Sequence, residues 1–233
     1  MGDSPAPAAW ATRLLPPEVA VAVMRGDVPV ADAWPDELAV AEGLPAARRA
    51  EYVTVRHCAR SALASLAIPP AAILDDDKGA PIWPDGVIGS LTHCRGYRAA
   101  AVARRDSLAA LGIDAEPAEA LPPGVLARIS SEAERGRIAY LTSQDGDVPW
   151  DRLLFSAKES VYKAWHPLTR RPLGFHDVDV ALRPDGQGSV VFLVAMPEAA
   201  ARLDWHLVWA VDGAVITTAV CTTGDGSFGA DPN

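Results

Sequence analysis

Two long amphipathic segments, each followed by several strand-like segments, constrain the fold of this chain more than any other feature. The first is predicted to be a helix over residues 45–67, and strand-like segments follow it over residues 72–116. The second is predicted to be a helix over residues 151–165, and strand-like segments follow it over residues 177–222. This repeated order predicts an α+β fold of two similar, pseudo-symmetric lobes, each a long helix packed on a small antiparallel sheet.

The predicted lobes span residues 11–111 and 112–223. Residues 1–10 and 224–233 are rich in Gly, Pro, Asp and Ala, and we predict that they are flexible ends. Because ligands bind preferentially at interfaces between domains, we expect the functional site to lie in the cleft between the two lobes.

Charge and cysteine content argue against several classes of protein. The chain has 21 Lys and Arg against 30 Asp and Glu, a net charge of −9, whereas a general nucleic-acid binder is usually basic. It has no apolar run of about 18 residues, so no membrane span is expected. The N-terminus lacks a signal-peptide pattern, and the three cysteines show no C-x-x-C spacing. We therefore expect a cytoplasmic protein with neither a disulfide framework nor a zinc site.

The sequence GIDAE at 112–116 places two carboxylates on one side of a predicted strand. Residues two apart on a strand point the same way, with Cα atoms roughly 6.6–7 Å apart, so Asp114 and Glu116 face one small volume. Oxygen ligands of this kind suit a hard cation such as Mg²⁺. Taken alone, two solvated acids at a strand end are the more common arrangement.

The sequence FSAKESVYKAW at 155–165 weaves Lys158, Glu159 and Lys163 between apolar residues of the second helix. Glu159 and Lys163 are four residues apart, so a surface ion pair worth about 0.3 kcal/mol would explain them without any site. Together with the strand, however, the helix supplies a third acid for one metal and two ammonium groups for phosphates.

These two segments together resemble the signature of the 4′-phosphopantetheinyl transferases, G-x-D-x-E followed by F/W-x-x-K-E-[SA]-x-x-K. Both halves match at every defined position and at the usual separation. The sequences TVRHCAR, KGAPIWPDG and GSLTHC resemble further motifs of the two-lobed members, closest to the actinobacterial and enterobactin-type branch. The resemblance extends from about Arg48 to Arg171.

The resemblance implies roles for individual residues. It implies Mg²⁺, or alternatively Mn²⁺, on Asp114, Glu116 and Glu159. It implies catalytic roles for Asp114, Glu159 and Lys163, with either Glu159 or a metal-bound water as the general base. It implies a larger set that binds coenzyme A: Arg48, Arg56, Lys78, Gly79, Pro81, Thr92, His93 and Lys158. Considered singly, a histidine such as His93 is more often structural, and helical arginines are often solvated.

The implied reaction transfers the 4′-phosphopantetheine group of coenzyme A to a serine of an apo carrier protein and releases 3′,5′-ADP. The sequence leaves open whether the carrier serves fatty-acid, polyketide or nonribosomal-peptide synthesis. We expect a monomer without nucleic-acid or membrane partners, because both halves of the implied site lie in one chain.

The segment 121–141 lies where the family carries its carrier-contacting segment. Its residues Ser131 to Glu134 match the S-x-x-E signature of a helix start. An apolar face for docking is predicted from Leu121, Val125, Leu126 and Ile129, and the alternative is an ordinary helix packed on the second lobe.

Two rival functions remain open from the residues themselves. A non-catalytic coenzyme A or nucleotide-binding module would keep the basic residues but would not need three convergent acids. A different Mg²⁺-dependent phosphotransferase or nuclease is the second rival. The chain has no Walker-type glycine loop, which argues against a nucleoside triphosphatase.

Overall fold

Two long helices and two antiparallel sheets form the framework of residues 5–223, the part of the chain that the computed structural model describes. The helices are α1 (Ala9–Leu14), α2 (Pro35–Glu42), α3 (Ala46–Ser65), α4 (Val125–Ile129), α5 (Glu132–Gln144), α6 (Trp150–Thr169) and α7 (Glu198–Ala201). The strands are β1 (Ala6–Pro7), β2 (Ala20–Met24), β3 (Val87–Cys94), β4 (Tyr97–Arg104), β5 (Leu111–Pro117), β6 (Val178–Leu182), β7 (Gln187–Phe192), β8 (Asp204–Asp212) and β9 (Val215–Thr223). A short 3-10 helix at Val30–Asp32 precedes α2.

Helix α3 packs on a four-stranded sheet of order β1-β2-β4-β3. Pro45 stands at its N-cap, just before the first helical residue, where a missing backbone N–H costs little. The buried face of α3 includes Cys58, Ala59 and Leu63, none of which is exposed to solvent. These side chains lie against Ala100 and other small residues of the sheet, which allow the helix to approach closely.

Helix α6 packs on a five-stranded sheet of order β5-β9-β8-β7-β6. Aromatic pairs anchor it at both ends: Trp150 meets Trp209 edge-on at 5.2 Å between ring centroids, and Trp165 stacks on Phe192 at 4.8 Å. The helix ends at Thr169, and the C-cap residue Arg170 adopts a left-handed backbone conformation with φ 56°. The sequence predicted the end at residue 165, four residues too early.

The face of strand β5 that carries Asp114 and Glu116 is turned towards α6. Leu111 and Ile113 belong to the core that the two sheets share, so the alternate residues of the strand turn towards the helix. Gly112 allows this contact to be close, because a Cβ atom there would lie 2.1 Å from the carbonyl oxygen of Ser160. The carboxylate of Asp114 therefore stands directly beside α6.

The two halves of the molecule meet along β3 and β5. The backbone N–H of Ile113 donates to Ser90 Oγ at 3.0 Å, and that of Ala115 donates to Thr92 Oγ1 at 2.9 Å. Apolar residues of both sheets form one core beside this seam, including Ala101 of β4. The seam sets the position of one lobe against the other.

The predicted α+β class, with a long helix on an antiparallel sheet in each half, is confirmed. The capping box predicted at Ser131 and Glu134 is also present: the Glu134 backbone N–H donates to Ser131 Oγ at 3.1 Å, and the Ser131 N–H donates to Glu134 Oε2 at 2.8 Å. Within residues 5–223, no helix combines the length and apolar character that crossing a bilayer requires.

The prediction of a flexible stretch over residues 1–10 does not hold for residues 6–10. Ala6 pairs with Val23 of β2, and the buried Trp10 donates its indole N–H to Tyr97 Oη at 3.3 Å. Trp10 belongs to the core shared by the two sheets, and burying so large a ring fixes the segment. The predicted flexible end at 224–233 lies outside the described residues.

Candidate active site

A cavity of about 570 Å³ lies where α3 and β3 of the N-terminal half face β5 and α6 of the C-terminal half. The sequence predicted twelve site residues, and all but Glu116 and Lys158 line this cavity: Arg48, Arg56, Lys78, Gly79, Pro81, Thr92, His93, Asp114, Glu159 and Lys163. The cavity therefore brings together side chains that are more than 100 residues apart in sequence.

Asp114 lies on the face of strand β5 that is turned towards α6, and it is only 6% exposed. Lys163 Nζ donates to its Oδ1 at 2.7 Å, and Thr92 Oγ1 donates to the same oxygen at 3.3 Å. Ser156 Oγ donates to its Oδ2 at 2.9 Å. Donors from β3 and α6 thus fix the orientation of this carboxylate at the junction of the two halves.

Glu116 and Glu159 flank Asp114 electrostatically. Burial raises the pKa of Glu116, and the charge of Asp114 raises it further, although Arg152 Nη1 donates to Glu116 at 2.9 Å. Burial also raises the pKa of Glu159, and Asp114 again adds to the effect. Across residues 5–223, no side chain donates a hydrogen bond to the Glu159 carboxylate. Asp114 therefore lies close enough to both glutamates to influence their pKa values.

The metal role of Asp114, Glu116 and Glu159 stays a prediction. In the described part of the chain, no group of three or more His, Cys, Asp or Glu side chains is arranged to hold a metal ion. Lys163 pairs with Asp114 and Arg152 pairs with Glu116, so two of the three carboxylates already have a cation.

The opposite wall of the cavity is basic and is organised by Glu51. Arg48 Nη1 donates to Glu51 Oε2 at 3.0 Å and makes a short contact with His93 Nε2. The same His93 nitrogen also lies 3.4 Å from Glu51 Oε2. Burial lowers the pKa of His93, and the positive charge of Arg48 acts in the same direction, against the opposing influence of Glu51. The sequence analysis missed Glu51, which no motif marks.

Arg56 lines the cavity but is mostly engaged in holding the chain after α3. Its Nε donates to the carbonyl oxygen of Ile73 at 2.7 Å, and its Nη2 pairs with Asp75 Oδ1 at 2.6 Å. Its guanidinium lies over the ring of Tyr52, 3.2 Å from the centroid. Burial lowers the pKa of Arg56, and it is 3% exposed. Its free hydrogen-bonding capacity is therefore small compared with that of Arg48.

The loop that carries Lys78, Gly79 and Pro81 is shaped by Asp76. Asp76 Oδ1 accepts the backbone N–H groups of Lys78 and Ala80, each at 2.9 Å, and Gly79 takes a φ of +81° that favours glycine. These two N–H groups and Arg170, which pairs with Asp76 at 2.8 Å, lower the pKa of Asp76 to about 2. The pair with Arg170 links this loop to the end of α6.

Lys158 does not line this cavity but, with Glu159, a smaller pocket of about 240 Å³, and its role in binding coenzyme A stays a prediction. It is 2% exposed and forms a buried ion pair with Glu134 of α5 at 2.9 Å. It also donates to the carbonyl oxygens of Phe175 at 2.6 Å and Val178 at 3.1 Å. Its three donors are thus used to join α5, α6 and the start of β6.

Two of the four residues of the apolar docking face predicted within residues 121–141 are turned inward, whereas Leu121 and Val125 are half-buried. Ile129 is 4% exposed, and Leu126 packs against the core under α6. The segment instead exposes Arg128 and Tyr140, with the Tyr140 side chain 65% exposed. The alternative of a helix packed on the second lobe therefore describes its apolar residues.

Comparison with known proteins gives the same family along most of the chain. A model of the 4′-phosphopantetheinyl transferase N-terminal domain matches residues 35–103, and a model of the 4′-phosphopantetheinyl transferase superfamily matches residues 110–219. The relative Svp of Streptomyces mobaraensis, a 4′-phosphopantetheinyl transferase, is 50% identical over 83% of this chain and 80% of its own length.

Other relatives agree. The 4′-phosphopantetheinyl transferase PptT of Mycobacterium tuberculosis is 50% identical over 73% of this chain and 74% of its own length. Enterobactin synthase component D of Salmonella typhimurium is 31% identical over 73% of this chain and 70% of its own length. The two family models match the two halves of the chain that enclose the charged cavity. This chain therefore belongs to the 4′-phosphopantetheinyl transferase superfamily.

Proposed function

We propose that the cavity binds coenzyme A and that the chain transfers its 4′-phosphopantetheine group to a serine of an apo carrier protein. The observation that carries this proposal is the convergence of Arg48, Lys78 and Lys163 with Asp114 and Glu159 in one cavity. Coenzyme A brings about four negative charges on its phosphates at neutral pH, which a basic wall can neutralise. The acidic end then offers the groups for metal binding and proton transfer.

The residues present fit a divalent metal by their chemistry. Carboxylates are the ligands that Mg²⁺ and Mn²⁺ prefer. Burial raises the pKa values of Glu116 and Glu159, and the negative charge of Asp114, which a cation would offset, raises them further. Asp114, Glu116 and Glu159 would hold the metal, which would stabilise charge that develops on the phosphate oxygens.

Glu159 is the residue best placed to accept the serine proton. Its carboxylate has no hydrogen-bond donor among the described side chains, and its raised pKa makes it a stronger base than an ordinary glutamate. The serine oxygen forms a bond to the β-phosphorus while the bond from that phosphorus to the bridging oxygen breaks. The 3′,5′-ADP departs with the electron pair, and Lys163 and the basic wall counter its charge.

We expect the carrier protein to dock beside Asp114 and Glu159. Both halves of the site belong to one chain. Carrier domains of this family are acidic, and this chain is also net negative, so docking needs a local surface of opposite charge. The exposed side chains of the segment 121–141 include Arg128, which offers a positive charge, and Tyr140, which offers an aromatic contact. We propose a monomer that acts on carriers of fatty-acid, polyketide or nonribosomal-peptide synthases.

Intact mass spectrometry tests the proposal. The protein is incubated with coenzyme A, Mg²⁺ and an apo carrier protein, and the carrier should gain one phosphopantetheine while 3′,5′-ADP appears. Coenzyme A binding without any gain in carrier mass would support the non-catalytic module. Hydrolysis of coenzyme A or of nucleic acid without transfer would support the other Mg²⁺-dependent enzymes.

A further inference from the structure

Beneath Asp114 lies a chain of buried hydroxyl groups to which the proposed reaction assigns no role, although one of them, Ser160, occupies the [SA] position of the motif. Ser156, Ser160 and Thr218 are each 0% exposed. Ser156 Oγ lies 2.9 Å from Thr218 Oγ1, which lies 2.7 Å from Ser160 Oγ. Ser156 alone of the three reaches Asp114, and it donates to Oδ2 at 2.9 Å.

The fold explains why these groups meet. Thr218 is the direct partner of Asp114 in the β5–β9 ladder, so both side chains rise from the sheet towards α6. Gly112 lets α6 approach this sheet closely, and Ser156 and Ser160 are one helical turn apart on the side that faces it. Three hydroxyls in an otherwise apolar layer are costly unless each is hydrogen-bonded, so their arrangement is tightly specified.

We propose that Ser156 and Thr218 are positioning residues that set the orientation of the Asp114 carboxylate for metal binding and transfer. A carboxylate has about four acceptor sites. Lys163 and Thr92 occupy Oδ1, and Ser156 occupies one site on Oδ2. Thr218 holds the Ser156 hydroxyl in place, and the second site on Oδ2 stays available. This inference rests on the proposed function, since it assigns a purpose to the orientation of Asp114.

Ser160 provides a matched control. It is as buried as Ser156 and lies on the same helix face, but it bonds only to Thr218, through Thr218 Oγ1 at 2.7 Å and the Thr218 carbonyl oxygen at 3.1 Å. Ser156→Ala and Ser160→Ala therefore remove similar groups from similar surroundings. Thr218→Val and Thr218→Ser give a second pair. The valine keeps the shape of the threonine but lacks its hydroxyl, and the serine keeps the hydroxyl but lacks the methyl group.

The experiment compares these four full-length variants with the wild type in three measurements. Urea unfolding gives stability, calorimetric titration with Mg²⁺ in the presence of coenzyme A gives metal affinity, and transfer to an apo carrier gives kcat and KM. Ser156→Ala and Thr218→Val should lower kcat and Mg²⁺ affinity about 10-fold, as expected for loss of a hydrogen bond to a charged group. Ser160→Ala and Thr218→Ser should lose stability but keep kcat and Mg²⁺ affinity within about 2-fold of the wild type.

The inference is overturned if Ser156→Ala and Ser160→Ala, at equal stability, show the same kcat and the same Mg²⁺ affinity. It is also overturned if Thr218→Val behaves as Thr218→Ser. A wild-type protein that transfers nothing to any carrier would refute the proposed function instead. The Mg²⁺ titrations of the two matched pairs would then decide the positioning role by themselves.

Discussion

Lys158 can have one of two roles: it binds the phosphates of coenzyme A, or it stabilises the fold through its buried ion pair with Glu134. If Lys158 met the phosphates of coenzyme A, Lys158→Met would weaken binding and leave the fold intact. The structure predicts the reverse, because Lys158 lies outside the cavity with both partners of the pair 1% exposed at their side chains. The variant leaves the Glu134 carboxylate buried without its cation.

The magnitude follows from the partners that Glu134 keeps. Removing one member of a buried ion pair typically costs 3–5 kcal/mol. Glu134 would still accept the N–H groups of Ser131 at 2.8 Å and Val180 at 2.9 Å, so the lower end, about 3 kcal/mol, is expected. For a chain of this size such a loss lowers Tm by about 6–12 °C.

Thermal unfolding and steady-state transfer below the lowered Tm are the assays. Lys158→Met should keep KM for coenzyme A within about 2-fold, since no contact in the cavity is lost. Adding Glu134→Gln should recover part of the stability, because the amide keeps an acceptor without a buried charge. Lys163→Met is the control: Lys163 lines the cavity and its side chain is 28% exposed, so transfer should fall with a smaller change in Tm. An unchanged Tm with a KM raised at least about 10-fold would refute the reasoning.

Four further outcomes are expected. Asp114→Ala should lower kcat at least about 10²-fold, as for loss of a charge-stabilising contact, and near-normal turnover by the folded variant would contradict its role. Burial, and then the charge of Asp114, raises the pKa of Glu159, and a protonated carboxyl cannot accept the serine proton. As the pH is lowered, kcat/KM should therefore begin to fall at a pH above the ordinary pKa range of a glutamate. A kcat/KM that stays constant down to that ordinary range would count against Glu159 as the base. Arg48→Ala should raise KM about 10-fold for coenzyme A but not for dephospho-coenzyme A, and equal effects on both substrates would move Arg48 away from the 3′-phosphate. Mixing Arg48→Ala with Lys163→Ala protein should restore no activity, because both residues line one cavity of a single chain; recovery at equal total protein would refute the monomer.

Local patterns were sufficient for the features that depend on a few neighbouring residues. The alternation of β5 predicts that Asp114 lies on the face opposite Ile113, and the structure places Ile113 in the shared core and Asp114 against α6. The S-x-x-E pattern predicts the capping box at Ser131 and Glu134. Strand β2 was missed because its residues, Ala20–Met24, are apolar and mostly buried, so no polar alternation marks them.

The rotation of α6 about its axis could not be read from the spacing of its residues. Lys158 and Glu159 are adjacent, but successive helical residues point about 100° apart, so one faces Glu134 and the other faces the cavity. That rotation is set by Trp150 and Trp165, which pack on strands distant in sequence.

The sequence by itself therefore determined which residues carry charge and which share a face of one element. Only the tertiary structure decided which charges meet. Ser156 and Thr218 lie 62 positions apart and touch only because Gly112 admits α6 to the sheet. Lys163 pairs with Asp114 for the same reason. Contacts of this kind depend on how elements pack, and local propensity and periodicity contain no information about that packing.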